Sequence, residues 1–184
     1  MLSVLLIGIS LSMDAFAVTV TNALSLRPFR GRDMFWSAIY FGGFQFLMPL
    51  LGALLAGTVS GYFIRFGPYI SFVLLGYIGV KMILDAVKTG EDDESVQALT
   101  HPRLFALAVA TSIDALAVGV SFAFSPPTTG ICLGCGLIGC TTFVLTLLAG
   151  ALGRRFSLHP RKAGILGGAV LLFIGVKLLL EGIL

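Results

Sequence analysis

The sequence predicts an all-α integral membrane protein: six transmembrane helices arranged as two inverted three-helix repeats. Three observations predict it. Hydrophobic residues make up 57% of the 184-residue chain and charged residues only 11%, with a mean hydropathy of +1.01. A soluble domain carries roughly 25% charged residues, so too little charge remains to cover a water-facing surface. The apolar residues fall into six blocks, each near the ~20 residues that a helix needs to cross about 30 Å of hydrocarbon. Finally, short motifs of the first half return in the same order in the second. Disordered, fibrous and disulfide-scaffold classes are excluded by the same composition. Six spans and their connectors use up the length, so residues 1–184 are expected to form a single membrane domain.

The expected spans follow the apolar blocks in order. Span one runs from Leu2 to Leu24, span two from Met34 to Gly57, and span three from Pro68 to Val87. A polar connector follows, holding Lys88, Glu91, Asp92, Asp93, Glu94, His101 and Arg103. Span four covers Leu104 to Phe124, span five Gly130 to Leu152, and span six Ala163 to Leu184. Backbone between spans needs water or internal partners, and turn residues gather there: Pro28, Gly67-Pro68, His101-Pro102, Pro126-Pro127 and His159-Pro160. The first basic residue, Arg27, comes after the first apolar block. A secretory signal would carry basic residues before it, so none is expected.

Loop charge sets the orientation, because cytoplasmic loops carry the excess of Lys and Arg. Loops one, three and five hold Arg27, Arg30, Arg32, Lys88, Arg103, Arg154, Arg155, Arg161 and Lys162, against Arg65 alone on the other side. These loops are therefore expected in the cytoplasm and both termini outside it. Trp36, Tyr62 and Tyr69 fit interfacial anchoring. The net charge of +3 is explained by orientation. Without an aromatic-interleaved basic patch, no nucleic-acid partner is expected, and the lipid bilayer is the surrounding partner.

The repeat is carried by two motif pairs. Ser12-Met13-Asp14-Ala15-Phe16-Ala17-Val18 returns as Ser112-Ile113-Asp114-Ala115-Leu116-Ala117-Val118, an offset of 100 residues. Ile78-Gly79-Val80-Lys81 returns as Ile174-Gly175-Val176-Lys177, an offset of 96. Spans two and five correspond more weakly, through Gly42, Gln45 and Pro49 against Gly139, Thr142 and Thr146. The first repeat is thus residues 1–88, the connector 89–103 and the second repeat 104–184. Three spans per repeat force the second to enter the membrane from the opposite side. Inverted repeats are common in secondary transporters, whose site lies near the midplane where the repeats meet.

Asp14 and Asp114 are the candidate functional groups. At 1.5 Å of rise per residue, each lies about halfway along its span. An Asp there costs about 2.5–3.5 kcal/mol to insert, which makes function the default reading; the alternative is a hydrogen bond to a neighbouring helix. Ser3, Ser10, Asp14, Ala17 and Thr21 share one face of span one, and Thr111, Asp114, Ala117, Ser121 and Ser125 one face of span four. Two carboxylates balance one divalent cation, and oxygen-rich surroundings suit magnesium, calcium or manganese. Gln45 could add an amide oxygen, and Ser12, Thr111 and Ser112 hydroxyls. Pro49 has no N–H, which frees the Gln45 carbonyl as a further ligand. A proton pair, sodium or a cationic amino acid would also use carboxylates.

Other features are weaker. Lys81–Asp85 and Lys177–Glu181 have i,i+4 spacing and can neutralise themselves. The second pair reads as structural or snorkelling, while Asp85 reads equally as a structural partner or as a gate or ion relay. Cys132-x2-Cys135 lacks a second pair and reads as helix packing, as do Gly130, Gly134, Gly164 and Gly168. His101 and His159 read as turn residues, and the run from Glu91 to Glu94 as a solvated loop.

The paired Asp segments, Gly79-Val80-Lys81-Met82-Ile83-Leu84-Asp85, Gly153-Arg154 and Lys162-Ala163-Gly164-Ile165-Leu166-Gly167-Gly168 resemble the manganese efflux pump (MntP-like) family over nearly the whole chain. The resemblance implies a six-span inner-membrane exporter that lowers cytosolic manganese, with Asp14 and Asp114 as its central acids and Asp85 a further candidate. The chain departs from the family pattern at Gln45, where members carry Glu, which removes a charge. Glu181 is not a family feature. A sporulation-associated membrane group shares the Asp motifs, but this chain is closer to the exporters.

The expectation is therefore a divalent-cation exporter working by alternating access. Mn2+ is its substrate, no cofactor is needed and the protein is not an enzyme. No nucleotide-binding loop is present. The alternatives are export of another cation or an amino acid, a non-transporting membrane scaffold, and an intramembrane aspartyl protease, whose usual Tyr-Asp and Gly-x-Gly-Asp contexts are absent. Closure of the halves on each other and closure against a second copy in a homo-oligomer both stay open.

Overall fold

The computed structural model describes residues 2–26, 29–56, 60–88, 99–155 and 160–183, with the backbone alone at 60–65, 88, 160–161, 163 and 181–183. All its regular elements are helices: α1 Leu2–Ser25, α2 Gly31–Leu54, α3 Ser60–Lys88, α4 His101–Thr111, α5 Ile113–Phe124, α6 Ile131–Arg155 and α7 Pro160–Ile183. Four stretches, in α1, α2, α3 and α6, are long and apolar enough to cross a membrane, and α4 with α5 makes a fifth if counted as one broken span. In α7 the described apolar stretch is Gly164–Leu180.

Two expectations change. Span four is not one straight helix: it breaks at Ser112 and the halves meet at 43°. Neither Gly nor Pro marks the break. The hydroxyls of Thr111 and Ser112 turn back onto the Leu107 and Ala108 carbonyls, at 2.9 and 2.7 Å. Such back-bonding competes with the helical ladder and bends it. Ser112 itself has φ −110° and ψ 5°, and its N–H reaches only the third carbonyl back, that of Val109. Span three is longer than expected. Gly67-Pro68 is no turn, because α3 starts at Ser60 and runs through Pro68. A proline is tolerated inside a membrane helix where neighbouring groups re-satisfy the freed carbonyl.

Small residues let the helices approach closely. α3 packs mainly on α7, α1 on α6 and α7, and α2 on α6 and α5. Where α2 crosses α6, a Cβ on Gly42 would lie 3.1 Å from the Gly139 carbonyl, and one on Gly139 2.9 Å from the Gly42 carbonyl. α3 and α7 cross in the same way at Gly79 and Gly168. Backbones in membranes associate through such contacts because lipid supplies no hydrophobic drive between helices. Gly164 and Gly168 pack as expected, but Gly130 does not: it has open space around it and φ +82°. That left-handed conformation in the turn before α6 is what selects glycine there.

Two buried hydrophobic clusters fill the interior. One contains Ala15, Val18, Phe41, Leu75, Leu107 and Leu171, the other Val4, Leu11, Ala115, Phe122, Cys135 and Ile138. Asp14 falls between Leu11 of one cluster and Ala15 of the other. Asp114 falls between Ala110 and Ala115, again one from each. The acids therefore occupy a polar seam between two apolar masses.

Candidate cation site

Asp14 projects from the middle of the unbroken α1 and is 8% exposed. Asp114 lies in the first turn of α5, where the break puts a free helix N-terminus. The unsatisfied N–H groups there favour negative charge. One is used directly: the Ala115 N–H donates to Asp114 Oδ1 at 2.8 Å. In a continuous helix that N–H would close on the carbonyl of Thr111. Asp14 and Asp114 lie within electrostatic reach of each other, and Lys177 acts on both. The Lys177 ammonium is 3.4 Å from Asp14 Oδ1.

That contact adds a partner for Lys177. It was expected to pair with Glu181 or to snorkel outward; the Glu181 side chain lies outside the described residues. The ammonium reaches Asp14 of the other repeat. Side chains on a helix lean toward its N-terminus, and α7 starts at the end marked by Arg154 and Arg155. A Lys in the C-terminal part of α7 thus leans back toward the middle of the bundle.

Gln45 is fully buried on α2, one turn before Pro49. Its Nε2 donates to the Leu11 carbonyl at 2.9 Å, which brings it to α1 one turn before Asp14. Its Oε1 is buried without a hydrogen-bond partner. A buried acceptor left unpaired costs about 1–3 kcal/mol, a cost that a bound cation would relieve. Ser12 Oγ meets Thr142 Oγ1 at 2.8 Å and also bonds the Gly8 carbonyl. Thr142 in turn donates to the Ile138 carbonyl at 3.0 Å. Ser71 of α3 donates to the Ala110 carbonyl at 2.9 Å, holding the end of α4 beside the break. Thr111 and Ser112 shape the break through their back-bonds.

Asp85 is placed elsewhere. Its charge acts on Arg103 at the start of α4. Arg103 Nη2 also lies 3.4 Å from Asn22 Oδ1 and 2.7 Å from Met82 Sδ. Asn22 is eight residues beyond Asp14 on α1, about 12 Å along the helix. The expected polar faces are only partly buried: Asp14, Thr21 and Thr111 are inside, whereas Ser3, Ser10, Ser121 and Ser125 are exposed. Sequence reasoning missed Lys177, Thr142, Asn22 and Arg103 as members of these groups. Thr142 was legible as the repeat counterpart of Gln45. Among the described residues, no three His, Cys, Asp or Glu side chains converge, so a bound metal would rely on amide, hydroxyl and carbonyl oxygens beside the two acids.

His101 does more than open α4. Its ring stands 5.2 Å from that of Trp36, and Tyr40 Oη is 3.3 Å from its Nδ1. These contacts tie α4 to α2 at the end where Trp36 was expected to mark the interface. His159, Glu91 to Glu94 and Arg27 lie outside the described residues, and Tyr62 and Arg65 are described only as backbone. Cys135 is buried in the core as expected, and all three cysteines are free thiols.

The chain matches known proteins over nearly its whole length. The profile of a family described as "Putative manganese efflux pump" matches residues 28–179. The chain belongs to this family. A protein named "Putative manganese efflux pump MntP" in Methanosarcina mazei is 46% identical over 177 residues, covering 96% of this chain and 94% of its own. One of the same name in Bifidobacterium adolescentis is 43% identical, covering 98% and 96%. Another, in Methanosphaera stadtmanae, is 35% identical, covering 98% and 99%. No solved structure matches. The family is one of transporters, not enzymes, which excludes the protease reading.

Proposed function

We propose that the protein exports Mn2+ from the cytoplasm as a secondary transporter, with the ion held mid-membrane between Asp14 and Asp114. The observation that carries this reading is that the two repeat-matched acids lie within electrostatic reach of each other, with Asp114 in the first turn after a helix break. Gln45 Oε1 supplies a neutral oxygen from α2. Ser12, Thr111 and Ser112 supply hydroxyls or, through the bend, release carbonyls. A divalent ion of hard to intermediate character fits an oxygen set of this kind. Broken helices at the midplane are a recurrent means by which transporters expose backbone groups to an ion.

The packing supports two inverted repeats exchanging positions. When α1, α2 and α3 are swapped with α4–α5, α6 and α7, the pattern of helix neighbours is retained: α1 on α6 becomes α5 on α2, and α2 on α6 and α3 on α7 map onto themselves. One repeat rocking against the other would carry the site from side to side. Arg103, gripping Asn22 of α1 beside Asp85 of α3, closes the cytoplasmic end, and Asp85 is thereby part of a gate rather than of the ion site. Loops one, three and five face the cytoplasm and both termini face outward in the inner membrane.

The test is transport. Wild type, Asp14→Asn and Asp114→Asn are expressed in manganese-sensitive cells, and cellular manganese is measured. Wild type should lower manganese, and either Asn variant should leave it at the level of cells without the protein. Equal manganese in all three would remove the proposal. Parallel loading with Ca2+, Mg2+ and Na+ checks the choice of ion.

A further inference from the structure

We propose that Lys177 is a tethered competitor for the ion site: its ammonium and the divalent cation contend for the same carboxylates, and loading displaces it. The inference rests on the Asp14–Asp114 site and adds a group that sets its affinity and release. Lys177 Nζ lies 3.4 Å from Asp14 Oδ1 and its charge also reaches Asp114. The Asp14 side chain is 11% exposed, so little water screens the pair, while the Lys177 side chain is 43% exposed and has room to swing away.

Charge balance decides the consequence. Two carboxylates and one ammonium leave the site with one net negative charge, too little for a divalent ion. If Lys177 stayed on Asp14, a divalent ion would leave the site net positive, with two cations sharing one carboxylate. If Lys177 moves off, the ion and the two acids balance. A compact point charge on a flexible four-carbon stem suits such an exchange better than the broad, planar guanidinium of arginine. The returning ammonium neutralises the acids as the ion departs, so the site is not left as two bare buried charges. Lys177 thus weakens binding and speeds release.

The experiment compares purified wild type, Lys177→Met, Lys177→Arg, Asp14→Asn and Asp114→Asn. Mn2+ binding is titrated in detergent and Mn2+ export is measured in proteoliposomes. Lys177→Met should bind Mn2+ tenfold or more tighter and export more slowly at saturating Mn2+. Lys177→Arg, whose guanidinium holds a carboxylate more firmly, should bind Mn2+ no tighter than wild type; tighter binding would refute competition by charge. A purely structural lysine would instead give weaker binding and slower export together. Unchanged or weaker binding by Lys177→Met, with both Asn variants losing Mn2+, overturns the role of Lys177 and leaves the site standing. Asn variants that bind like wild type overturn the site and this inference with it. If Lys177→Met does not fold, amine labelling of the wild-type protein serves, with Lys177 followed by peptide mass. Mn2+ should accelerate its labelling; unchanged or slower labelling refutes displacement.

Discussion

Replacing Gly119 by Ala tests how tightly the site depends on one helix crossing. Gly119 sits on α5, one and a half turns beyond Asp114, and faces α2 at Pro49, one turn beyond Gln45. A Cβ built on Gly119 would collide with the carbonyl of Pro49, so one methyl must drive the two helices apart. The obstructing atoms are backbone and cannot rotate aside. The reciprocal contact is equally close, since a Cβ on Gly52 would collide with the Leu116 carbonyl. Overpacking of a tight interior costs typically 1–3 kcal/mol, and an immovable obstacle puts this case at about 3. That corresponds to a loss of roughly 6–12 °C in Tm. Because α2 carries Gln45 and α5 carries Asp114, the displacement should also weaken Mn2+ export. The assay is thermal unfolding in detergent with export in vesicles, and the control is Gly43→Ala, also on α2, where an added Cβ meets nothing within 4 Å. If Gly119→Ala is no less stable than Gly43→Ala, the α2–α5 backbone contact does not set the geometry of the site.

Three further outcomes follow from the same structure. Mn2+ at a hundredfold excess over its Kd should stabilise wild type by about 2.7 kcal/mol, or roughly 5–10 °C in Tm; chelation should remove the gain, and Asp114→Asn should never show it. Gln45→Glu should bind Mn2+ more tightly, by about tenfold, yet melt earlier without metal, because a carboxylate brings charge into a buried position and offers no N–H to the Leu11 carbonyl. Weaker binding by this variant would remove Gln45 from the site. A reporter fused to the C-terminus should be active only outside the cytoplasm, as the loop charges demand, and cytoplasmic activity would overturn the assigned orientation.

The site was legible where its chemistry is costly. A carboxylate in the middle of an apolar block stands out, and a second at the matching repeat position makes accident hard to maintain. Gln45 stands out as a polar side chain in an apolar block, and its Oε1 is buried without a hydrogen-bond partner. The break at Ser112 was not legible, because no Gly or Pro marks it. Serine and threonine hydroxyls bend a helix only when they bond backward, and both motifs carry such a hydroxyl: Ser12 does so without breaking α1, whereas Thr111 and Ser112 together break the helix at the start of α5. The contact of Lys177 with Asp14 was not legible, because i,i+4 spacing finds partners only within one helix and this one is 163 positions away along the chain.

By itself, the sequence determined the class of solvent, the number of apolar blocks, the repeat and the two central acids. Each of these depends on local composition or on motifs that can be compared along the chain. Tertiary structure alone decided that α4 and α5 part at Ser112, that α2 and α5 touch backbone to backbone at Gly119, that Lys177 meets Asp14 and that the charge of Asp85 acts on Arg103. Those outcomes depend on which helices become neighbours. In a bilayer that choice is made by close packing and by the few polar groups that must find partners, and a linear sequence records neither distance.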